Sequence, residues 1–293
     1  MTLLPDEFRL AHGGKDVIMD AFAKAVLALI LLFALFPIWL MIVTSFKKRS
    51  QLLQPGVTLI PSEFRIENYF EMWNRIKLVE YFLNSLIISV STTLICLFIA
   101  SLAAYAFSRY DFRGKNKFGL AILSTQMIPG VLILIPMYML FITIQTTLNF
   151  QMVNTYYGII FIYSTFTVPF AIWMLRGYFD TIPEALEEAA RIDGCTRVQA
   201  LFRIVLPLAI PGLAATGLFV FIIAFNEVLF ASVLASDNVT PFAIGIQSFE
   251  SNTRTYWTQM MAAATVATVP LLLVLALFQR QIVSGLTAGG VKQ

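Results

Sequence analysis

Long apolar segments with at most one charge alternate with polar segments along the chain. Each is long enough to supply the about 20 apolar residues that a helix needs to cross about 30 Å of hydrocarbon. The longest, Phe118–Leu175, has room for two crossings, and its middle, Thr143–Tyr156, is rich in Thr, Gln and Asn. The pattern predicts an all-α integral membrane protein with six transmembrane helices, at residues 22–46, 83–107, 118–141, 157–175, 208–235 and 258–278.

The composition supports a membrane protein. The 293 residues are 58% hydrophobic and 13% charged, whereas an ordinary soluble domain is about 25% charged. These values, with a mean hydropathy of +0.79, exclude a disordered chain, a coiled coil and most soluble enzymes. We expect a single transmembrane domain over residues 1–293.

The distribution of Lys and Arg predicts the orientation. An even number of spans places both termini on one side of the membrane. The proposed inner segments carry 13 Lys and Arg residues and the outer loops carry 7, which favours cytoplasmic termini because positive loops stay inside. The cluster Lys47-Lys48-Arg49, directly outside the first span, opposes this assignment.

Residues that build catalytic or metal centres are scarce. The single histidine, His12, lies in the polar N-terminal arm, and Cys96 and Cys195 fall in a span and in an inner loop. The sequence has no G-x-x-x-x-G-K-[ST] motif to cradle ATP phosphates. We therefore predict no catalytic residue, no metal site, no cofactor in this chain and no nucleic-acid partner.

Glu227 is the one acid inside a predicted span, near its outer end. An ionisable residue within a membrane is a functional hypothesis by default. Water can reach this depth, so a structural or gating role is favoured over direct ligand contact, with Asn226 as the second gate candidate. An ion-gradient-driven transporter, the main alternative function, would need several such groups near the midplane, and a membrane enzyme would need a catalytic cluster.

The inner loop between the fourth and fifth predicted spans carries a distinctive helix. Thr181 and Glu184 have the spacing of a capping box, and Gly194 suits the position just past the helix end. Glu187 and Arg191 form a favourable i,i+4 pair. A second helix is predicted from Thr196 to Leu206. The first helix carries an apolar stripe at helical spacing that comprises Ile182, Ala185, Leu186, Ala189 and Ala190.

The charge of this first helix favours a protein partner over the lipid surface. Helices that lie on the inner leaflet are usually basic, because that leaflet is anionic. Here a single Arg191 is opposed by four acids. The acids are Glu184, Glu187, Glu188 and Asp193.

The same loop resembles the signature of ATP-binding-cassette (ABC) importer permeases. Glu188-Ala189-Ala190, Gly194, Ile204 and Leu206-Pro207 fill every position of the pattern E-A-A-x3-G-x9-I-x-L-P. The resemblance implies the type I importer permease fold. It also implies that the loop at residues 176–207 holds a coupling helix that docks in a cleft of a cytoplasmic ATPase subunit.

The C-terminal segment, residues 279–293, narrows the resemblance. Ser284–Lys292 reads S-G-L-T-A-G-G-V-K and is similar to the tail of the smaller permease subunit of maltose-type importers. A flexible end is the default interpretation of such a segment. The resemblance instead implies a cytoplasmic tail that inserts between two ATPase subunits and contacts them through Thr287, Gly289, Gly290 and Lys292.

The resemblance also assigns the last outer loop, residues 236–257. It implies that this loop reaches into the sugar site of a soluble binding protein. An aromatic belt at the membrane interface is the alternative, and it suits Tyr256 and Trp257 better. The candidate contact residues are Phe242, Gly245, Gln247 and Phe249.

The resemblance implies half of a sugar translocation pore in a bacterial inner membrane, surrounded by lipid. The implied partners are a second, homologous permease subunit, two ATPase subunits that bind ATP and Mg²⁺, and a sugar-binding protein. The sugar stays open between maltodextrins, other neutral oligosaccharides and acidic uronate chains such as alginate. Tyr138, Gln126 and Asn84 are candidates for lining its path, although packing explains them equally well.

Overall fold

The computed structural model describes residues 14–53, 56, 58–236, 239–251 and 253–290. Most of them are helical, because a helix satisfies its own backbone hydrogen bonds where lipid offers none. The helices are α1 (Gly14–Ser45), α2 (Arg49–Leu52), α3 (Glu67–Arg75), α4 (Leu78–Arg109), α5 (Lys115–Ser124), α6 (Gly130–Leu148), α7 (Tyr156–Phe179), α8 (Glu184–Ile192), α9 (Arg197–Leu208), α10 (Ile210–Asn226), α11 (Ala231–Leu234), α12 (Phe242–Gly245) and α13 (Trp257–Gly290).

Four of these helices are long and apolar enough to cross a membrane. They are α1 from Met19 onward, α4, α6 and α7. The pair α9 and α10 gives a fifth candidate span if the two are taken together, and Trp257–Leu273 of α13 is a shorter apolar helix. The predicted all-helical membrane fold is confirmed, while six crossings remain a prediction.

The third predicted span, residues 118–141, is interrupted. A 3₁₀ turn at Thr125–Met127 follows α5, and α6 begins only at Gly130. Pro129 explains the interruption, because a proline disfavours helical backbone at the residue before it, and Ile128 is extended (φ −82°, ψ 118°). The polar residues after position 141 continue α6 to Leu148, beyond the predicted end of the span.

The fifth predicted span, residues 208–235, is also interrupted. Helices α9 and α10 meet at a bend of 79°, with Pro211 in the first turn of α10. Helix α10 ends at Asn226, and Glu227 has extended backbone (ψ 125°). The sequence predicted Glu227 inside a continuous span. It lies instead just past the end of a helix.

Helices α4 and α7 form a parallel pair in constant register. At one end the Tyr156 hydroxyl donates to Asn84 Oδ1 (2.5 Å). At the other end the Ser108 hydroxyl donates to Asp180 Oδ1 (2.6 Å). Both bonds join residues 72 positions apart, so neither helix slips along the other between them.

The contacts within the chain define two compact units. One consists of the described parts of Met1–Phe70 with Tyr256–Thr265, and the other of Glu71–Thr255 with the described parts of Val266–Gln293. In the first, the buried Lys47 ammonium donates to Thr58 O (2.5 Å), and Lys48 pairs with Glu63. Two of the three positive charges that opposed the predicted orientation are thus engaged by residues of the segment that follows α1.

Gly212 of α10 offers a test of how tightly α7 and α10 pack. A Cβ atom added at Gly212 would lie 2.5 Å from Cγ of Tyr178. We expect Gly212→Ala to lower the free energy of unfolding by about 1–3 kcal/mol, as overpacking does. Gly177→Ala is the matched control, because a Cβ there meets no atom within 4 Å; it should be neutral or slightly stabilising. Thermal unfolding in detergent compares the two, and equal melting temperatures would contradict the packing argument.

Candidate functional site

The short helix α8 begins for a different reason than its flanking sequence suggests, but it ends as predicted. The Thr181 hydroxyl donates to Tyr178 O (2.7 Å), and Pro183 stands at the N-cap without a side-chain bond, so the predicted capping box was wrong. The C-terminus matches its prediction. Gly194 has φ +94°, and its N–H donates to Arg191 O, while the Cys195 N–H reaches Ala190 O, which is a Schellman motif.

A buried ion pair fixes α8 to the end of α4. Arg109 Nε lies 2.5 Å from Glu187 Oε1, and each side chain is only 8% exposed. Arg109 Nη2 also donates to Ile182 O (2.8 Å). The Tyr105 hydroxyl donates to Glu187 Oε2 (2.8 Å). Both carboxylate oxygens are therefore satisfied inside the protein, and the predicted Glu187–Arg191 pair is replaced by this one.

Further contacts extend the ion pair on both sides. Arg109 Nη1 donates to Ser108 Oγ (2.9 Å), and Ser108 in turn donates to Asp180 at the end of α7. On the other side, the Arg197 guanidinium lies 4.9 Å from the ring centroid of Tyr110. This contact joins the first residue of α9 to Tyr110, which directly follows Arg109 at the end of α4.

Sequence reasoning missed Tyr105 and Arg109. Arg109 is one of the 13 positive residues of the proposed inner segments, and Tyr105 lies in the predicted span at residues 83–107. The available signal was their i,i+4 spacing, which places both side chains on one face of α4. Nothing local in the sequence indicated that a glutamate 78 residues later would meet that face.

The ion pair divides α8 into an inner and an outer face. Ile182, Glu187 and Ala190 are buried against the rest of the unit. The predicted apolar stripe is split, since its remaining members are exposed, and Ile192 is 87% exposed. The exposed face consists of Glu184, Ala185, Leu186, Glu188, Ala189, Arg191, Ile192, Asp193 and Gly194.

The second half of the signature loop forms α9. Thr196 and Gln199 make a reciprocal capping box at its start. A π-helical segment at Leu201–Val205 follows, with Ile204 in it, and Leu206-Pro207 opens the last turn before the 79° bend. The predicted second helix at Thr196–Leu206 is present, and Pro207 lies within it, not beyond its end.

Glu227 acts as a local cap. Its carboxylate accepts the backbone N–H groups of Phe230 (3.0 Å) and Ala231 (3.2 Å). The Tyr163 hydroxyl donates to the Glu227 carbonyl oxygen (3.3 Å). The exposed Asn226 amide donates to Ile222 O (2.9 Å). Glu227 thus orders the turn between α10 and α11.

The outer-loop candidates divide by exposure. Phe242, Gly245 and Phe249 are buried, and Gln247 is exposed. In this arrangement Gln247 is the one of the four that a docking protein can reach directly. Asn84, considered for a sugar path, is also buried, with only 2% exposure.

Three of the four tail candidates lie at the end of α13, which is helical to Gly290. The predicted tail therefore does not begin as a separate segment at residue 279. Thr287, Gly289 and Gly290 are within this helix, and Lys292 lies outside the described residues.

The chain is similar to known membrane transport proteins. Residues 97–287 match the family described as "Binding-protein-dependent transport system inner membrane component". The chain is 38% identical over 269 residues to the "Inner membrane ABC transporter permease protein YcjP" of Escherichia coli K12, covering 91% of this chain and 94% of that protein. It is 38% identical over 268 residues to the "Trehalose/maltose transport system permease protein MalG" of Thermococcus litoralis, covering 90% and 94%.

The fold has a counterpart among solved structures. It is similar to a chain in the crystal structure of a bacterial ABC transporter involved in the import of the acidic polysaccharide alginate. The TM-score is 0.76 at 24% sequence identity, and the match covers 92% of this chain and 98% of that one.

The ion pair makes a quantitative prediction. Glu187→Ala leaves the buried Arg109 without a counter-charge, which we expect to lower the free energy of unfolding by about 3–5 kcal/mol. Glu188→Ala, the exposed neighbour, should change it by less than about 0.5 kcal/mol. Denaturant unfolding of the purified protein measures both. Equal stabilities of the two variants would show that the pair does not hold α8.

Proposed function

Because this chain belongs to the family of inner membrane components of binding-protein-dependent transport systems, we propose that it is one permease subunit of an ABC importer for a sugar or short oligosaccharide. It forms half of the translocation pore, and a second, homologous permease subunit forms the other half. Two ATPase subunits bind ATP and Mg²⁺, so this chain is not itself an enzyme. A soluble binding protein delivers the cargo.

The exposed face of α8 carries this proposal. A helix anchored by a buried ion pair and presenting Leu186, Ala189 and Ile192 to solvent is suited to a groove in another protein. Its small Ala side chains allow close approach, and its acids disfavour an anionic lipid surface. We assign ATPase docking to the exposed residues of Glu184–Gly194, and we assign the contacts of the tail to Thr287, Gly289, Gly290 and Lys292.

We assign a gate to the place where two interrupted spans meet. A Cβ atom added at Gly130, the first residue of α6, would lie 3.6 Å from Leu229 and Phe230. Irregular backbone at membrane depth is tolerated where it is buried in protein or lines a water-filled cavity. Asn226 and Glu227 directly precede the segment that contains Leu229 and Phe230. The Glu227 carboxylate stabilises the turn of this segment through the N–H groups of Phe230 and Ala231. An ion-gradient-driven transporter is disfavoured, because the Glu227 carboxylate is occupied by backbone N–H groups.

The remaining assignments concern the two surfaces of the membrane. We place the termini and α8 in the cytoplasm, following the count of 13 inner against 7 outer positive residues. Residues 236–257 then face outward, and the exposed Gln247 is the candidate contact for the binding protein. The trehalose/maltose permease among the relatives supports this cargo class.

The docking assignment is tested by purification of the assembled complex. Ile192→Glu places a charge on the exposed face of α8, and we expect it to reduce copurification of the ATPase subunits about tenfold or more, because burying an unpaired charge is costly. Arg113→Gln, an exposed change on another inner segment, is the matched control and should copurify normally. In nanodiscs, the intact complex should hydrolyse ATP faster when the loaded binding protein is added.

Two results would count against the proposal. Copurification of the ATPase subunits with the Ile192→Glu variant at the control level would exclude α8 as the docking site. Failure of the wild-type chain to copurify with any ATPase subunit, together with sugar uptake that needs no ATP, would exclude an ABC importer.

A further inference from the structure

The outer loop is tied to α4 by two hydrogen bonds. The Asn84 amide donates to Thr240 O (3.0 Å), and the Phe242 N–H donates to Ser85 Oγ (2.7 Å). Asn84 and Ser85 are each only 2% exposed. Tyr156, at the start of α7, donates to the other end of the Asn84 amide. We call these five residues the outer latch.

Packing reinforces the outer latch. A Cβ atom at Gly245 would approach the ring of Tyr81 to 2.2 Å, so the loop backbone lies directly against this aromatic side chain. The rings of Phe82 and Phe242 meet edge to face, with centroids 6.3 Å apart. Displacement of α12 therefore requires either movement of α4 or the loss of buried contacts.

The opposite end of α4 holds α8. Tyr105 and Arg109 both bind Glu187. Helix α4 is one unbroken helix of 32 residues, and the part from Asn84 to Arg109 spans about 38 Å at 1.5 Å per residue. The third and fifth predicted spans, in contrast, are both interrupted. Helix α4 is thus the continuous connection from the outer loop to α8.

Helix α7 stiffens this connection. Its hydrogen bonds to α4 at Asn84 and at Ser108 have the same offset of 72 residues. A shift of one helix along the other would break both bonds at once. The two helices therefore move together, and Asp180 brings α7 to the same end at which α8 is held.

We propose that the outer latch and α4 transmit displacement of the outer loop to α8, so that docking of the binding protein outside is sensed by the ATPase subunits inside. The inference rests on the proposed function, because it takes α8 as the docking helix. A ligand shifts a conformational equilibrium only through contacts that differ between two states. The bonds of the outer latch are such contacts, because a displaced loop must either break them or move α4, and α4 carries its movement to Glu187.

The test compares two adjacent tyrosines. Tyr156→Phe removes the hydroxyl that bonds Asn84, whereas Tyr157→Phe removes a hydroxyl that bonds Gln151 O outside the outer latch. The complete complex in nanodiscs is assayed for ATP hydrolysis with and without the loaded binding protein. We expect Tyr156→Phe to reduce the stimulation by about fivefold, the equivalent of one net hydrogen bond, at an unchanged basal rate. Tyr157→Phe should be stimulated like the wild type.

A transmitting role also predicts which kinetic parameter changes. The maximal stimulated rate should fall, while the binding-protein concentration that gives half of it stays the same. A loop that was merely misplaced for docking would raise that concentration instead and overturn the inference.

Full stimulation of ATP hydrolysis in the Tyr156→Phe complex would also overturn the inference that the outer latch transmits the displacement. If this variant does not assemble, Ser85→Ala replaces it in the test, because it removes the acceptor of the Phe242 N–H. The measured quantity is again the ratio of ATP hydrolysis with and without the loaded binding protein. Absence of stimulation in the wild-type complex would instead contradict the proposed function, so the two failures are distinguishable.

Discussion

The ion pair between Arg109 and Glu187 is the contact on which the position of α8 depends. Removing two charges from water costs several kcal/mol for each, and only good geometry with additional hydrogen bonds recovers it. Tyr105 and the Ile182 carbonyl supply those bonds. Ile182 and Ala190 are the inward-facing apolar residues of this segment and add buried apolar contact. A directional contact thus fixes a helix whose outer face is free to bind a partner.

This unit contains two unbroken helices, α4 and α7, and two spans whose helices are interrupted. The α4–α7 pair keeps one register from end to end, and its ends carry the outer latch and the ion pair. The interruptions at Pro129 and after Asn226 meet beside Gly130, where the backbone departs from regular helix. The unbroken helices and the elements with irregular backbone are therefore different parts of the unit.

The helical membrane fold could be predicted because it depends on composition and segment length, which are local properties. The helix of the signature loop could be predicted from its periodicity and from Gly194. Helix breaks at Pro129 and Ala209 could not be placed, since prolines such as Pro169 lie inside a continuous helix. Partners across the fold were also inaccessible. Glu187 has an ideal local partner in Arg191, and only the approach of α4 makes Arg109 the better one.

The constant register of α4 and α7 has a consequence for biosynthesis. The polar side chains that α4 buries against its neighbours are made 72 residues before the segment of α7 that faces them. At about 5–20 residues per second, this interval lasts about 4–14 s. During it, Ser89 and Thr93 can bond to carbonyl groups of their own helix, Ser85 O and Ser89 O. Helix α4 can thus enter the lipid before α7 has been synthesised.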